Sequence, residues 1–283
     1  MINKKIPVPI ILQIVTLTAG FALLYHHTIV KLVSDWSTDD NFSHGFLVPI
    51  IAGYMIWHYR ERLARITIQS SYWGYLLLLG GMLFHIAGNI GAELFIQRFS
   101  IILTLMGLTM VLFGVDVLKK TLVPLLYLLL MIPIPAIIWN KIAFPLQLFA
   151  ARLSADFITL IGITVLREGN ILHLANTTLE VVDACSGLRS LMSMLALSAA
   201  FAYISYMKNT GKWILFLSAV PIAIAVNIIR LTVTAMMAKY IGAEAAQGFL
   251  HDISGFIIFF VALILLYATQ TLLQYTGWFR LKE

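Results

Sequence analysis

Cys185 is the single cysteine of the 283-residue chain, so no intramolecular disulfide can form and its thiol is available for other chemistry. A lone cysteine is most often a small buried hydrophobe, but the surroundings of this one argue for more. It stands in Val182-Asp183-Ala184-Cys185-Ser186-Gly187-Leu188-Arg189, where a polar stretch turns into a long apolar run. That places it at or just before a helix N-terminus, whose unsatisfied N–H groups carry partial positive charge and favour the thiolate, the attacking species. Arg230 lies in Asn227-Ile228-Ile229-Arg230-Leu231, inside an apolar run. An arginine there is costly and reads as functional; the simpler reading is a side chain snorkelling to headgroups. His251, followed by Asp252, opens the last apolar run. Alone it reads as a helix-end residue, yet histidine titrates near neutral pH and can serve as general acid or base. A cysteine, a histidine and an arginine at one surface make a thiol-acyl-transfer centre. The thiolate attacks a carbonyl, the histidine moves protons and the guanidinium steadies the oxyanion. Arg189, four residues beyond Cys185 on the same helix face, competes for the guanidinium role.

The elements that must position these residues follow from composition. The chain is 60% hydrophobic and 11% charged, with a mean hydropathy of +0.92. That is too little polar surface to coat a protein in water, and it predicts an all-α polytopic membrane protein forming a single domain over 1–283. The net charge of +6 sits in short clusters between apolar runs. These read as topology signals, and no nucleic-acid partner is expected. About eight transmembrane helices are expected at 10–30, 44–59, 72–89, 99–116, 121–138, 187–206, 213–235 and 253–273. The first run is longer than a signal-peptide core and is expected to be retained.

With a cytoplasmic N-terminus, the inner segments hold Lys4, Lys5, Arg60, Arg62, Arg65, Lys119, Lys120, Lys208, Lys212, Arg280 and Lys282, 11 of the 19 basic residues. Both termini then lie inside, as an even span number requires. Spans six, seven and eight bring Cys185, Arg230 and His251 to the outer side; Arg230 lies roughly 26 Å along its helix from Trp213. The long outer segment contains 138–163, apolar but interrupted by polar residues. It is read as an extracytoplasmic interfacial or dipping helix, with a ninth span as the alternative. Glu168-Gly169-Asn170 between β-branched, apolar stretches predicts a small β-hairpin before span six.

At these residues the chain resembles the exosortase/archaeosortase family of membrane cysteine enzymes. The match rests on Glu180-Val181-Val182-Asp183-Ala184-Cys185-Ser186-Gly187-Leu188-Arg189, Asn227-Ile228-Ile229-Arg230 and His251-Asp252-Ile253-Ser254-Gly255. Phe42-Ser43-His44-Gly45-Phe46-Leu47-Val48-Pro49 and Arg167-Glu168-Gly169-Asn170 extend it. The resemblance implies a cysteine transpeptidase or protease of the inner membrane whose active site faces the periplasm. Its substrates would be exported proteins ending in a Pro-Glu-Pro-type motif, a transmembrane helix and a basic tail. It would cleave near the motif and pass the new C-terminus to an envelope acceptor. The family's cysteine, arginine and histidine fall on Cys185, Arg230 and His251. Histidine in the third position resembles the bacterial branch, and an end shortly after span eight resembles its short, core-only form, lacking the exopolysaccharide-linked extension. Arg189, His44, Asn227 and Asp252 are the expected substrate-contacting or supporting residues; for His44 a local role at the start of span two is the plainer reading.

Two other classes compete. A transporter would bury ionisable groups at mid-membrane, where spans three to eight carry almost none. A polytopic envelope glycosyl- or lipid-transferase would lean on carboxylates and not need Cys185. The remaining histidines, His26, His27, His58, His85 and His173, form no metal-ligand spacing such as His-Glu-x-x-His, so neither metal nor cofactor is expected.

Overall fold

The computed structural model describes residues 8–175, 177–180, 188–242 and 249–276, with backbone alone at 8–11, 13, 14, 180, 188–190 and 249–256. Its apolar runs are helices because, in lipid, every backbone N–H and C=O must be satisfied within the segment. Helix α1 (Val8–Thr38) is 31 residues long, about 46 Å. Asp39 then caps a 3₁₀ turn, Asp40–Phe46, by accepting the Asn41 N–H at 2.9 Å. The turn runs into α2 (Leu47–His58) and the short α3 (Arg60–Ala64). Helices α4 (Trp73–Ile90) and α5 (Leu94–Phe113) form the most closely packed pair, with buried Gly74, Gly81 and Gly88 letting the two backbones approach. Helix α6 (Val115–Tyr127) continues as a 3₁₀ turn, Leu128–Met131. Helix α7 (Ala136–Leu160) follows after Pro133 and Pro135.

Three short antiparallel strands come next: β1 (Val165–Glu168), β2 (Ile171–Leu174) and β3 (Thr178–Glu180), in that order across the sheet. Glu168 pairs with Ile171 across the predicted turn, where Gly169 takes φ +65°. The hairpin thus forms where expected, and Thr178–Glu180 adds a third strand to it. The last helices are α8 (Leu188–Ile204), α9 (Asn209–Tyr240) and α10 (Phe249–Tyr275).

Among the described residues, four helical segments are long and apolar enough to cross a membrane: Trp73–Ile90, Leu94–Phe113, Asn209–Tyr240 and Ile257–Tyr275. Counting the bent pair Val115–Met131 and Ala136–Leu160 as one gives five, against the eight expected. The three expected spans not counted fall on α1, which is long but not among the segments that pass, and on two short helices. Helix α2 has 12 residues and α8 has 17, each below the ~20 that span a hydrocarbon core unaided. The segment predicted at 138–163 is helical, and it turns by 83° from the helix before it. The two prolines explain the break, since neither can donate a backbone N–H and each disfavours α geometry in the residue before it.

A polar cluster ties α1 to the α4–α5 pair. Arg98, 2% exposed, forms an ion pair with Asp35. Gln97 Nε2 donates to the Gly88 carbonyl at 3.0 Å, Ser100 Oγ donates to Tyr25 Oη at 3.1 Å, and Tyr25 Oη shares a 2.7 Å hydrogen bond with Thr104 Oγ1. Replacing Arg98 by Met strands the Asp35 carboxylate. The expected loss is about 3 kcal/mol, the lower end of the range for a broken buried pair, because Asp35 keeps 32% of its side-chain exposure. Thermal unfolding in detergent checks this: the double variant Arg98→Met/Asp35→Leu should recover most of the loss.

Candidate active site

Arg230 is half-buried on α9, ten residues before that helix ends at Tyr240. Its neighbour Leu231 and the next-turn Ala235 are buried against Ala155 and Ile158 of α7 and against Leu172 and Leu179 of the sheet. The sheet thus shares one apolar cluster with α7 and with the residues of α9 that follow Arg230, and β3, which contributes Leu179, leads directly into the Cys185 block. On the far side of that block, α8 starts at Leu188. Its Leu191 packs with Ala223 of α9 and with Trp139 and Ala143 of α7. Ala223 is two turns below Arg230, about 10 Å. Both chain segments flanking Cys185 are thus anchored to α9 within two turns of Arg230. Cys185 itself lies outside the described residues, as do the side chains of Arg189, His251 and Asp252.

Helix α10 packs against α8 and α9 through Ala262 and Leu266, which meet Ala219 and Val226. His251 is the third residue of α10, so it belongs to the end of the α9–α10 pair where Arg230 lies. Asn227, one turn below Arg230, is 2% exposed and its Nδ2 has no acceptor among the described residues. Ser154 Oγ on α7 and Thr232 Oγ1 on α9 are likewise buried without a partner there. Unsatisfied buried polar groups are few in folded proteins; here three fall on one packed pair of helices, around the arginine.

A family model described as transmembrane exosortase (Exosortase_EpsH) matches residues 36–268. The chain belongs to the transmembrane exosortase family. It is a membrane protein of a family of cysteine proteases or transpeptidases that act on exported proteins. No curated protein and no solved structure matches it.

The family match takes in every motif of the sequence analysis, including Ser43-His44-Gly45, and the structure gives that motif a structural role. His44 is 7% exposed, with Nε2 within 3.1 Å of the Leu130 carbonyl, to which it donates. Burial lowers its pKa, opposed by the hydrogen bond to the Leu130 carbonyl. The turn also packs on α8, the helix that follows the Cys185 block, while His44 ties the turn to Leu130. Its Nδ1 is buried without a partner among the described residues.

Gly45 faces the indole of Trp36, whose Nε1 donates to the Met131 carbonyl at 2.8 Å. A Cβ there would come within 2.3 Å of the ring. The ring is rigid and tethered, so Gly45→Ala should lower stability by about 1–3 kcal/mol, an ordinary overpacking loss, measured as a reduced unfolding temperature. The pairing Trp36→Phe/Gly45→Ala, which removes the indole nitrogen and part of the ring, should regain part of it.

Ser154 and Thr232 carry no signal in the sequence. A serine or threonine in an apolar helix usually bonds back to its own i−4 carbonyl and signals nothing, so composition alone gave no reason to single them out. Nor does the sequence mark the Arg98–Asp35 pair, although the expected topology puts both residues at the outer rim of their helices.

Proposed function

We infer that the protein is a single-domain membrane transpeptidase in which Cys185, Arg230 and His251 form the reacting group. The observation that carries this reading is the anchoring of β3 and α8, the two flanks of Cys185, to the part of α9 that bears Arg230. The Cys185 thiolate attacks the scissile carbonyl of an exported protein, and the guanidinium of Arg230 stabilises the tetrahedral oxyanion. Collapse to the thioester expels the amine, which takes a proton from His251 as imidazolium. An acceptor nucleophile, or water, then gives its proton back to the imidazole and attacks the thioester. That restores the thiolate and releases the carboxyl end on the acceptor. Arg189, His44, Asn227 and Asp252 support this centre.

Eight spans with both termini in the cytoplasm are part of the same reading. Helices α1, α2 and α8 would complete the count, and the reacting group would face the periplasm from the inner membrane. The substrates are exported proteins carrying a C-terminal Pro-Glu-Pro-type motif, a transmembrane helix and a basic tail. This rests on the family resemblance of the three blocks.

The test is co-expression with an exported reporter ending in such a signal, followed by immunoblot. Wild type should shorten the reporter, while Cys185→Ala at equal membrane abundance should leave it whole. Normal processing by Cys185→Ala would remove the thiol from the chemistry and move the envelope-transferase reading to first place.

A further inference from the structure

At the end of the bundle opposite Arg230, a groove of about 460 Å³ opens between α6, α8 and the start of α9. Its apolar wall is made by Val123, Ala199, Ala202 and Phe216, and its mouth by Tyr203 and Lys212. Lys212 is half-buried, and its Nζ donates to the Tyr203 carbonyl at 3.4 Å. The same carbonyl accepts from Tyr59 Oη at 3.3 Å, and the two tyrosine rings meet edge to face at 5.1 Å. Arg62 lies over the Tyr59 ring at 5.2 Å. Lys212 thus lines the groove and Arg62 lies on the far side of the Tyr59–Tyr203 pair, and among the described residues neither has a carboxylate within ion-pair distance. Exposed Trp57, Tyr206 and Trp213 ring the same level, the residue types that settle at a membrane–water interface.

We propose that this groove is a binding site for an anionic phospholipid, its phosphate held between Lys212 and Arg62 and an acyl chain lying along the wall of α6 and α8. The charge of the rim selects the headgroup, and the groove is open to the lipid that surrounds the helices. Like charges held together without a counter-ion are unfavourable, and a phosphate relieves that while its tails fill apolar space. The proposal is independent of the reaction at the other end of the molecule.

Native mass spectrometry of the purified full chain, titrated with dioleoyl phosphatidylglycerol or phosphatidylcholine, tests it. The anionic lipid should bind more tightly by roughly tenfold or more. Lys212→Gln and Arg62→Gln should each weaken it about fivefold, and together about 25-fold, with phosphatidylcholine unaffected, as expected for ~1 kcal/mol per cation. Lys212→Arg should retain binding, which separates charge from folding. Lys119→Gln/Lys120→Gln, removing two cations elsewhere at the same end, should change it by less than about twofold. Millimolar inorganic phosphate should fail to displace the lipid. Equal binding of both lipids, an equal loss in the Lys119/Lys120 variant, or displacement by inorganic phosphate would each overturn the proposal.

Discussion

Cys185→Ala should abolish reporter processing altogether, and this is the largest effect expected of any single substitution. Removing the nucleophile of a covalent mechanism costs on the order of 10⁶ in turnover, because the remaining groups have no bond-forming partner. Binding and oxyanion stabilisation survive, worth about 10³–10⁴ over water, but that is far too slow to shorten a reporter during growth. Cys185→Ser should be nearly as inactive. Its hydroxyl is only weakly nucleophilic at its own pKa and, unlike a thiol, has no appreciable ionised fraction at neutral pH. A thiolate stabilised at the start of α8 also makes a prediction that does not depend on the substrate. Alkylation by iodoacetamide should reach half its maximal rate at a pH below the ~8.5 of a free cysteine. Processing that persists in Cys185→Ala at matched membrane levels would end the thiol mechanism.

The helices were legible because lipid leaves the backbone few choices. Any apolar run long enough must satisfy its own N–H and C=O groups, and composition alone reports such runs. The turn at Gly169 was legible for a local reason as well, since a residue at positive φ between β-branched stretches calls for glycine. What was not legible depended on contacts and angles that a count of apolar residues does not register. The sequence analysis began span two at 44, but Asp39 caps a 3₁₀ turn that delays α2 to Leu47. Nothing in an apolar count marks a side chain accepting an N–H two residues on. Pro133 and Pro135 announce a break, but not an 83° turn that lays α7 over α8 and α9. Arg98 and Asp35 were each visible as a charge beside an apolar run, and only the fold pairs them. For the site, the motif blocks could be read directly. That β3 and α8 converge on α9 around Arg230 is a statement about packing, carried by Leu179, Leu191, Ala223 and Leu231, residues with no chemistry of their own.

Arg230 is where the catalytic and the plain reading separate most sharply. A guanidinium that donates to the developing oxyanion interacts more strongly with the transition state than with the substrate. Its loss in Arg230→Ala should then lower kcat by about 10²–10³ and leave KM nearly unchanged. Arg230→Lys keeps the charge but replaces a planar fork with a flexible point donor, and should fall between the two. If Arg230 merely snorkels to headgroups, Arg230→Ala would lower membrane abundance, and processing per molecule would stay within about twofold of wild type. Single-turnover cleavage of a reporter in reconstituted membranes, normalised to protein level, distinguishes these. Arg189→Ala belongs in the same series, because Arg189 is four residues past Cys185 and the second residue of α8. Were Arg189→Ala to lose 10²-fold while Arg230→Ala did not, the oxyanion role would pass to Arg189, and the half-burial of Arg230 would become a matter of packing. The half-buried position of Arg230, one turn from the buried Asn227, favours the first outcome. A snorkelling arginine extends to water, whereas this one keeps part of its side chain among the packed helices.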